Sequence, residues 1–306
     1  MTLTPAMPLP LIHHPGYTIA LPPRHPFPMA KFRVLRNILA VEETGISAEW
    51  ITPQPANETS LARIHTPAYL RAFLGGSLSE AAQRRSGFRW SEALVARTLL
   101  EVGGTLETVE AALATGLACN TAGGTHHAHA DAASGYCLIN DLAVAAAHAL
   151  AHGWADRILI LDLDVHQGDG TARLFRHDQR VFTFSMHGAA NFPARKQHSD
   201  LDIALPRGTD DAAYLYQLMA SLPPLLVQFA PDLVLYDAGV DVHADDRLGH
   251  LELTDNGLFA RDHYVLTTCR DAQIPVAAVI GGGYDRDLEA LAQRHAQLHR
   301  AASQLI

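Results

Sequence analysis

Arg157-Ile-Leu-Ile-Leu-Asp-Leu-Asp164-Val-His166-Gln-Gly-Asp169-Gly170 is the stretch whose reading decides the fold. Its Ile/Leu run is apolar on both alternating faces, as a strand covered on both sides requires, and polar residues begin only at its carboxyl end. Residues 181–185, 232–237 and 275–280 repeat the pattern: a short apolar run, then polar or glycine residues. Between these runs lie helical patterns at 140–152, 169–177, 211–229, 257–272 and 287–304, the Ala-rich first and the Leu/Ala-rich last being the clearest. Strands alternating with helices predict an α/β fold, with a central, mostly parallel sheet flanked by helices on both faces.

Outward from this region the pattern loosens. Pro-rich segments at 5–28 and 53–67 read as ordered loops, and 91–115 as a long helix interrupted at Gly103-Gly104. No Ser/Gly linker, repeat or shift in composition marks a boundary, so one domain is expected over residues 1–306. With 48% hydrophobic and 18% charged residues, the chain can bury a sizeable core. A net charge of −9 argues against a partner held through nucleic-acid phosphates. Cys119, Cys137 and Cys269 are widely spaced and form neither a disulfide framework nor a CxxC knuckle. The Pro-rich start lacks a basic, apolar leader pattern, and no apolar run is long enough for a membrane span, so a cytoplasmic protein is expected. Eighteen histidines are the compositional oddity, and they direct attention to metal ligands.

The polar residues converge on strand ends, the edge where open parallel α/β sheets bind ligands. Asp162, Asp164 and His166 alternate, so a continuing strand would stack two carboxylates and an imidazole on one face, at a cost that a cation would offset. A lone aspartate here would serve as a helix cap, but capping needs only one. Asp241, in Gly239-Val-Asp241-Val-His243, adds a carboxylate from another strand end; by itself it reads equally as a turn residue. Three ligands from Asp164, His166 and Asp241 would leave a coordination position open for water. His126 and His127, on a glycine-flanked loop, could be ligands, bases or ordinary loop residues. Gly281-Gly-Gly-Tyr284 leaves room at a strand end and sets a phenol beside it, though such a run also suits a flexible turn.

Taken in order, GGTHHAHADAASGYCLIND (123–141), LDLDVHQGDG (161–170), SMH (185–187), AGVDVHADDRLG (238–249) and GGGY (281–284) closely resemble the zinc-dependent histone deacetylase family, which shares its fold with arginase. The resemblance runs from Arg24 to the last helical pattern. Arg24-His-Pro-Phe27 and His65-Thr-Pro-Ala-Tyr69 look most like its class IV, bacterial and eukaryotic branch. It implies a single catalytic zinc held by Asp164, His166 and Asp241, with iron(II) chemically admissible for so hard a ligand set. It further implies His127 as general acid–base, His126 as its electrostatic neighbour, Asp162 and Asp169 as the carboxylates orienting these histidines, and Tyr284 as the group polarising the acyl carbonyl. Tyr136 and Phe192 match the walls of an acyl-lysine tunnel, with Gly135, Gly282 and the rim residue Leu248 completing its lining. A structural potassium would lie among Asp162, Ser185 and the carbonyls of Asp164, His166 and Met186.

The activity implied is hydrolysis of the amide of N-acyl-lysine to free lysine and a carboxylate. A small N-acyl-amine hydrolase, acting for example on acetylpolyamines, is the alternative for the same site. A silent binding protein fits poorly, since ligands, base and tyrosine are all present. Arginases use an Asp two residues after the D-x-H histidine and a later D-x-D pair; Gly168 and His243 stand there, so one metal is expected rather than two. The oligomeric state stays open, with a monomer favoured.

Overall fold

The computed structural model describes residues 8–41 and 45–306. The leader reading of the N-terminus therefore falls in part, over residues 1–7, outside the described residues. Among the described residues, eight strands form one wholly parallel sheet: β1 (Leu9–Ile12), β2 (Ala48–Ile51), β3 (Leu117–Asn120), β4 (Ile158–Asp162), β5 (Val181–Gly188), β6 (Leu201–Leu205), β7 (Leu233–Asp237) and β8 (Val276–Val279). Their order across the sheet is β2-β1-β3-β8-β7-β4-β5-β6. The helices among the described residues are α1 (Lys31–Leu39), α2 (Glu58–Leu61), α3 (Pro67–Leu74), α4 (Glu80–Ser86), α5 (Glu92–Thr115), α6 (Asp141–Ala151), α7 (Asp169–Phe175), α8 (Asp211–Phe229), α9 (Asp255–Asp271) and α10 (Leu288–Ser303). None of them is long and apolar enough to cross a membrane.

The strand expected at 157–164 is β4, and every residue in it is buried. Alternation divides its side chains between two cores: Leu159 and Leu161 enter one, Ile158 and Ile160 the other. Strand β7 divides likewise, Val234 and Tyr236 against Leu233 and Leu235. This two-sided burial, with helices packed over both faces, is the α/β architecture the apolar runs require.

Four features depart from the sequence expectations. Residues 5–28 are not wholly loop, because β1 lies inside the sheet between β2 and β3. Pro10 is tolerated there: the Leu9 N–H points toward β2, so position 10 would point toward β3, whose pairing starts only at Leu11. Residues 53–67 likewise contain α2, whose first turn is capped by the Asn57 side chain. Strands β2 and β6 escaped detection because both are short edge strands whose alternation is only half-buried. Helix α5 runs unbroken through Gly103-Gly104. These glycines permit contact rather than a break: a Cβ on Gly103 would meet the Gln54 carbonyl, and one on Gly104 the Tyr17 hydroxyl.

Candidate active site

Strands β3, β4, β7 and β8 deliver their polar carboxyl-terminal residues to one edge of the sheet. The ladder ends at Asp162, which lies level with Ser185 on β5 and Asp237 on β7. Beyond it the chain turns on its own side chains, with Asp164 N donating to Asp162 Oδ1 at 3.1 Å and His166 N to Asp164 Oδ1 at 2.8 Å. These two Asx turns end the period-2 alternation. The single stack expected of Asp162, Asp164 and His166 is accordingly divided: Asp164 and His166 join Asp241, while Asp162 joins His126 and Asp237.

In the first group the ligand atoms lie within 4.8 Å of one another, and all three residues are buried. His166 Nδ1 is 3.0 Å from both Asp164 Oδ1 and Asp241 Oδ2. Backbone N–H groups fix the carboxylates from behind, Gly282 donating to Asp164 Oδ2 at 2.7 Å and Val165 to Asp241 Oδ1 at 2.8 Å. Burial and the Asp164 charge raise the Asp241 carboxyl above its ordinary range. Two carboxylates and an imidazole, buried and crowded together, form a donor set that fits a divalent cation and is costly without one. Gly282 must be glycine, since a Cβ would enter both carboxylates.

The two adjacent histidines have opposite electrostatics. His126 Nδ1 lies 2.7 Å from Asp162 Oδ2 and 3.8 Å from Asp237 Oδ2. Burial disfavours its charge, but the carboxylates of Asp162, Asp164 and Asp237 prevail and raise it well above the usual histidine range. His127 is pushed down to about 4 by burial and by His126, although its Nδ1 lies 2.6 Å from Asp169 Oδ1. One imidazole is thus held cationic and the other neutral, the division that acid–base chemistry needs. Asp169 opens α7 without capping it, its carboxylate being engaged by His127 and, at 3.4 Å, by His129.

A cleft of about 320 Å³ leads to these groups and is lined by His127, Gly135, Tyr136, His166, Phe192, Leu248 and Tyr284 among others. The Phe192 ring stands edge-on to His127 at 4.8 Å, and the Tyr284 ring lies 5.8 Å from Tyr136 and 6.2 Å from His166. Gly135, at φ +52°, leaves no space for a Cβ between His127 and Phe192. The Tyr284 hydroxyl is raised well above its ordinary value by burial and by Asp164 and Asp241, which keeps its proton available for donation. Ser185 and Met186 are buried on β5, the Ser185 hydroxyl lying 3.0 Å from His187 Nδ1. A larger cavity, about 480 Å³, opens at the opposite edge of the sheet beside Leu117 and Pro275, with Arg270 as its charged side chain.

Four supporting residues were assigned no role from the sequence. Lys31 is buried, with Nζ donating to the carbonyls of Gly281 at 3.2 Å and Gly283 at 3.4 Å; burial lowers it to about 8. Arg261, also fully buried, donates to the carbonyls of Leu163, Ala238 and Gly239, tying the loop after β4 to the loop after β7. Asp246 accepts from Tyr284 N at 2.6 Å. Asp237 is fully buried, and neither of its carboxylate oxygens has a hydrogen-bond partner among the described residues. Each lies far in sequence from the group it serves, and only Asp237, at a strand end, stood where a ligand-binding edge could have drawn attention to it.

Comparison with known proteins agrees with this geometry. The histone deacetylase domain family matches residues 25–301. An uncharacterized protein of Picosynechococcus sp. is 52% identical over 297 residues, covering 97% of this chain and 99% of its own. Histone deacetylase 2 of Arabidopsis thaliana is 29% identical over 273 residues, covering 85% of this chain and 70% of its own. The acetoin utilization protein AcuC of Staphylococcus aureus is 28% identical over 282 residues, covering 85% and 72%. The chain belongs to the histone deacetylase family and is a hydrolase of acetylated amides.

Proposed function

We propose that the protein hydrolyses the amide of N-acyl-lysine side chains, releasing the lysine amine and a carboxylate. The observation that supports this reading best is the placement of neutral His127 and the protonated Tyr284 phenol around the buried Asp164–His166–Asp241 group, at the floor of a narrow cleft walled by Tyr136 and Phe192. A linear acyl-amine can reach such a floor through aromatic walls that exclude water from its methylene chain.

Asp164, His166 and Asp241 would hold the catalytic cation, for which zinc is proposed and iron(II) is admissible. When bound, such an ion supplies Lewis acidity toward the acyl oxygen and the attacking water. His127 accepts the proton of that water as it adds to the carbonyl carbon, and Asp169 fixes the imidazole tautomer and stabilises the cation formed. Tyr284 donates its O–H to the developing oxyanion, a contact worth roughly 3–4 kcal/mol in transition states of this kind. As the C–N bond breaks, His127 returns the proton to the amine nitrogen. His126, already cationic on Asp162, holds positive charge beside the reaction and keeps His127 neutral. A structural potassium is proposed among Asp162, Ser185 and the carbonyls of Asp164, His166 and Met186. The whole chain is proposed to act as one catalytic domain, cytoplasmic and monomeric.

The test compares kcat/KM for an acetyl-lysine peptide with that for N-acetylspermidine, using zinc- or iron-loaded enzyme and enzyme treated with chelator. The peptide is expected to be the better substrate, and chelation to abolish its hydrolysis. A tenfold or greater preference for the acetylpolyamine would replace this reading with the small-amine one.

A further inference from the structure

The chain carries 32 acidic against 23 basic residues, yet the cleft reaching His127 and Tyr284 has Arg84 and Arg85 in its wall and no Asp or Glu among its lining residues. Arg85 is anchored by Nε donation to the Ala133 carbonyl at 2.9 Å, beside the segment carrying Gly135 and Tyr136, and its exposed Nη groups have no further partner among the described residues. Arg84 makes only an exposed pair with Glu80 at 3.4 Å. A third cation, Arg247, is exposed next to Leu248, with its backbone N–H on the Tyr284 carbonyl at 3.0 Å. The acids of that same loop are committed elsewhere. Asp246 is buried and accepts from the N–H groups of Leu248, Gly249 and Tyr284. Asp245 pairs with Arg294 at 3.0 Å.

We propose that this mouth selects N-acyl amines bearing an anionic group, carboxylate or phosphate, next to the acylated side chain, with Arg84, Arg85 and Arg247 as specificity-determining residues. The proposal rests on the deacylase reading of the cleft floor and adds to it the charge of the substrate. With the acyl-amine extended to the floor, the remainder of the substrate lies at the rim. There a guanidinium fork matches an oxyanion and repels an ammonium. Two sources share this chemistry: the α-carboxylate of a free acylated amino acid, and an acidic or phosphorylated residue flanking acyl-lysine in a polypeptide. Exposed rim charges act largely on encounter and are screened by salt, so the effect belongs in kcat/KM at low ionic strength.

The experiment uses the metal-loaded enzyme and acetyl-lysine peptides with blocked termini, flanked by Ala, by Glu or by Arg, together with Nα-blocked Nε-acetyl-lysine as free acid and as carboxamide. The Glu-flanked peptide is expected to exceed the Arg-flanked one by about tenfold at low salt, falling to about twofold in 0.5 M salt. In Arg84→Ala/Arg85→Ala the low-salt ratio should fall to about twofold or less. A preference for the free acid over its carboxamide, without a peptide preference, assigns the anion to a free acylated amino acid; the reverse assigns it to an acidic polypeptide. Hydrolysis of all substrates without charge preference, or a ratio that the double substitution leaves unmoved, overturns the inference alone. Failure to hydrolyse even the Ala-flanked peptide overturns the deacylase reading and the inference with it.

Discussion

Replacing Asp241 with asparagine should uncouple the stability of the protein from divalent metal while leaving its fold in place. In the structure the Asp164 and Asp241 carboxylate oxygens lie within 4.8 Å of each other. At an effective dielectric near 20, unit charges at that separation repel by about 3.5 kcal/mol. His166, 3.0 Å from each carboxylate, offsets part of this, and the Asp241 carboxyl is raised by burial first and by the Asp164 charge second. Asparagine keeps an oxygen for the Val165 N–H and removes the charge, so without metal Asp241→Asn should be at least as stable as wild type, within about 1 kcal/mol. Metal at a thousandfold excess over its Kd stabilises the wild type by about 4 kcal/mol. For 306 residues this is a rise in Tm of about 6 °C. The variant should show little of that rise. Thermal unfolding by circular dichroism with chelator and with zinc or iron(II), alongside bound metal by mass spectrometry, measures both quantities. A variant that gains as much Tm and metal as wild type would refute the assignment of Asp241 as a ligand.

Four further outcomes are expected. His127→Ala should lower kcat more than His126→Ala, because only His127 is poised as a neutral base; steady-state kinetics showing the opposite order would reverse the two roles. Leu248→Glu, at the cleft mouth, should raise kcat/KM for acetylpolyamines severalfold, an exposed ion pair being worth ~1 kcal/mol. Gly103→Ala should lower Tm, although alanine in a helix interior ordinarily stabilises by about 1 kcal/mol, because its methyl group would be forced against the Gln54 carbonyl; a stabilised variant would contradict that contact. His65 and His299 are buried and held down to about 4, so below the ordinary 6.5 the unfolded chain takes up protons that the folded one refuses. Their stabilisation is complete above about pH 6.5 and is lost as pH falls toward 4, by about 1.4 kcal/mol per pH unit for each, which a Tm series in His65→Gln should show with a shallower slope.

The parallel sheet and the edge that carries the candidate site were legible in the sequence because β4, β7 and β8 are buried on both faces. Such strands must be apolar until they end, so the first polar residues mark the carboxyl edge. The proposed ligand set and the histidine pair lie in short motifs at those ends, which local spacing and family likeness single out. Tertiary structure decided what depends on distant partners. Pro10 enters a strand because β3 begins pairing one residue later, and Gly103-Gly104 sustains a helix because other segments press against it. Asp162 parts from Asp164 because the ladder ends between them and each turn closes on a side chain. The difference between His126 and His127 arises from burial of both, from the Asp162, Asp164 and Asp237 carboxylates beside the first, and from the charge of His126 beside the second, and Lys31 reaches the glycine run from the start of α1. Composition and period report which face of a segment is dry. The charge state of a buried group depends on fields from residues that only the folded chain brings within a few ångströms.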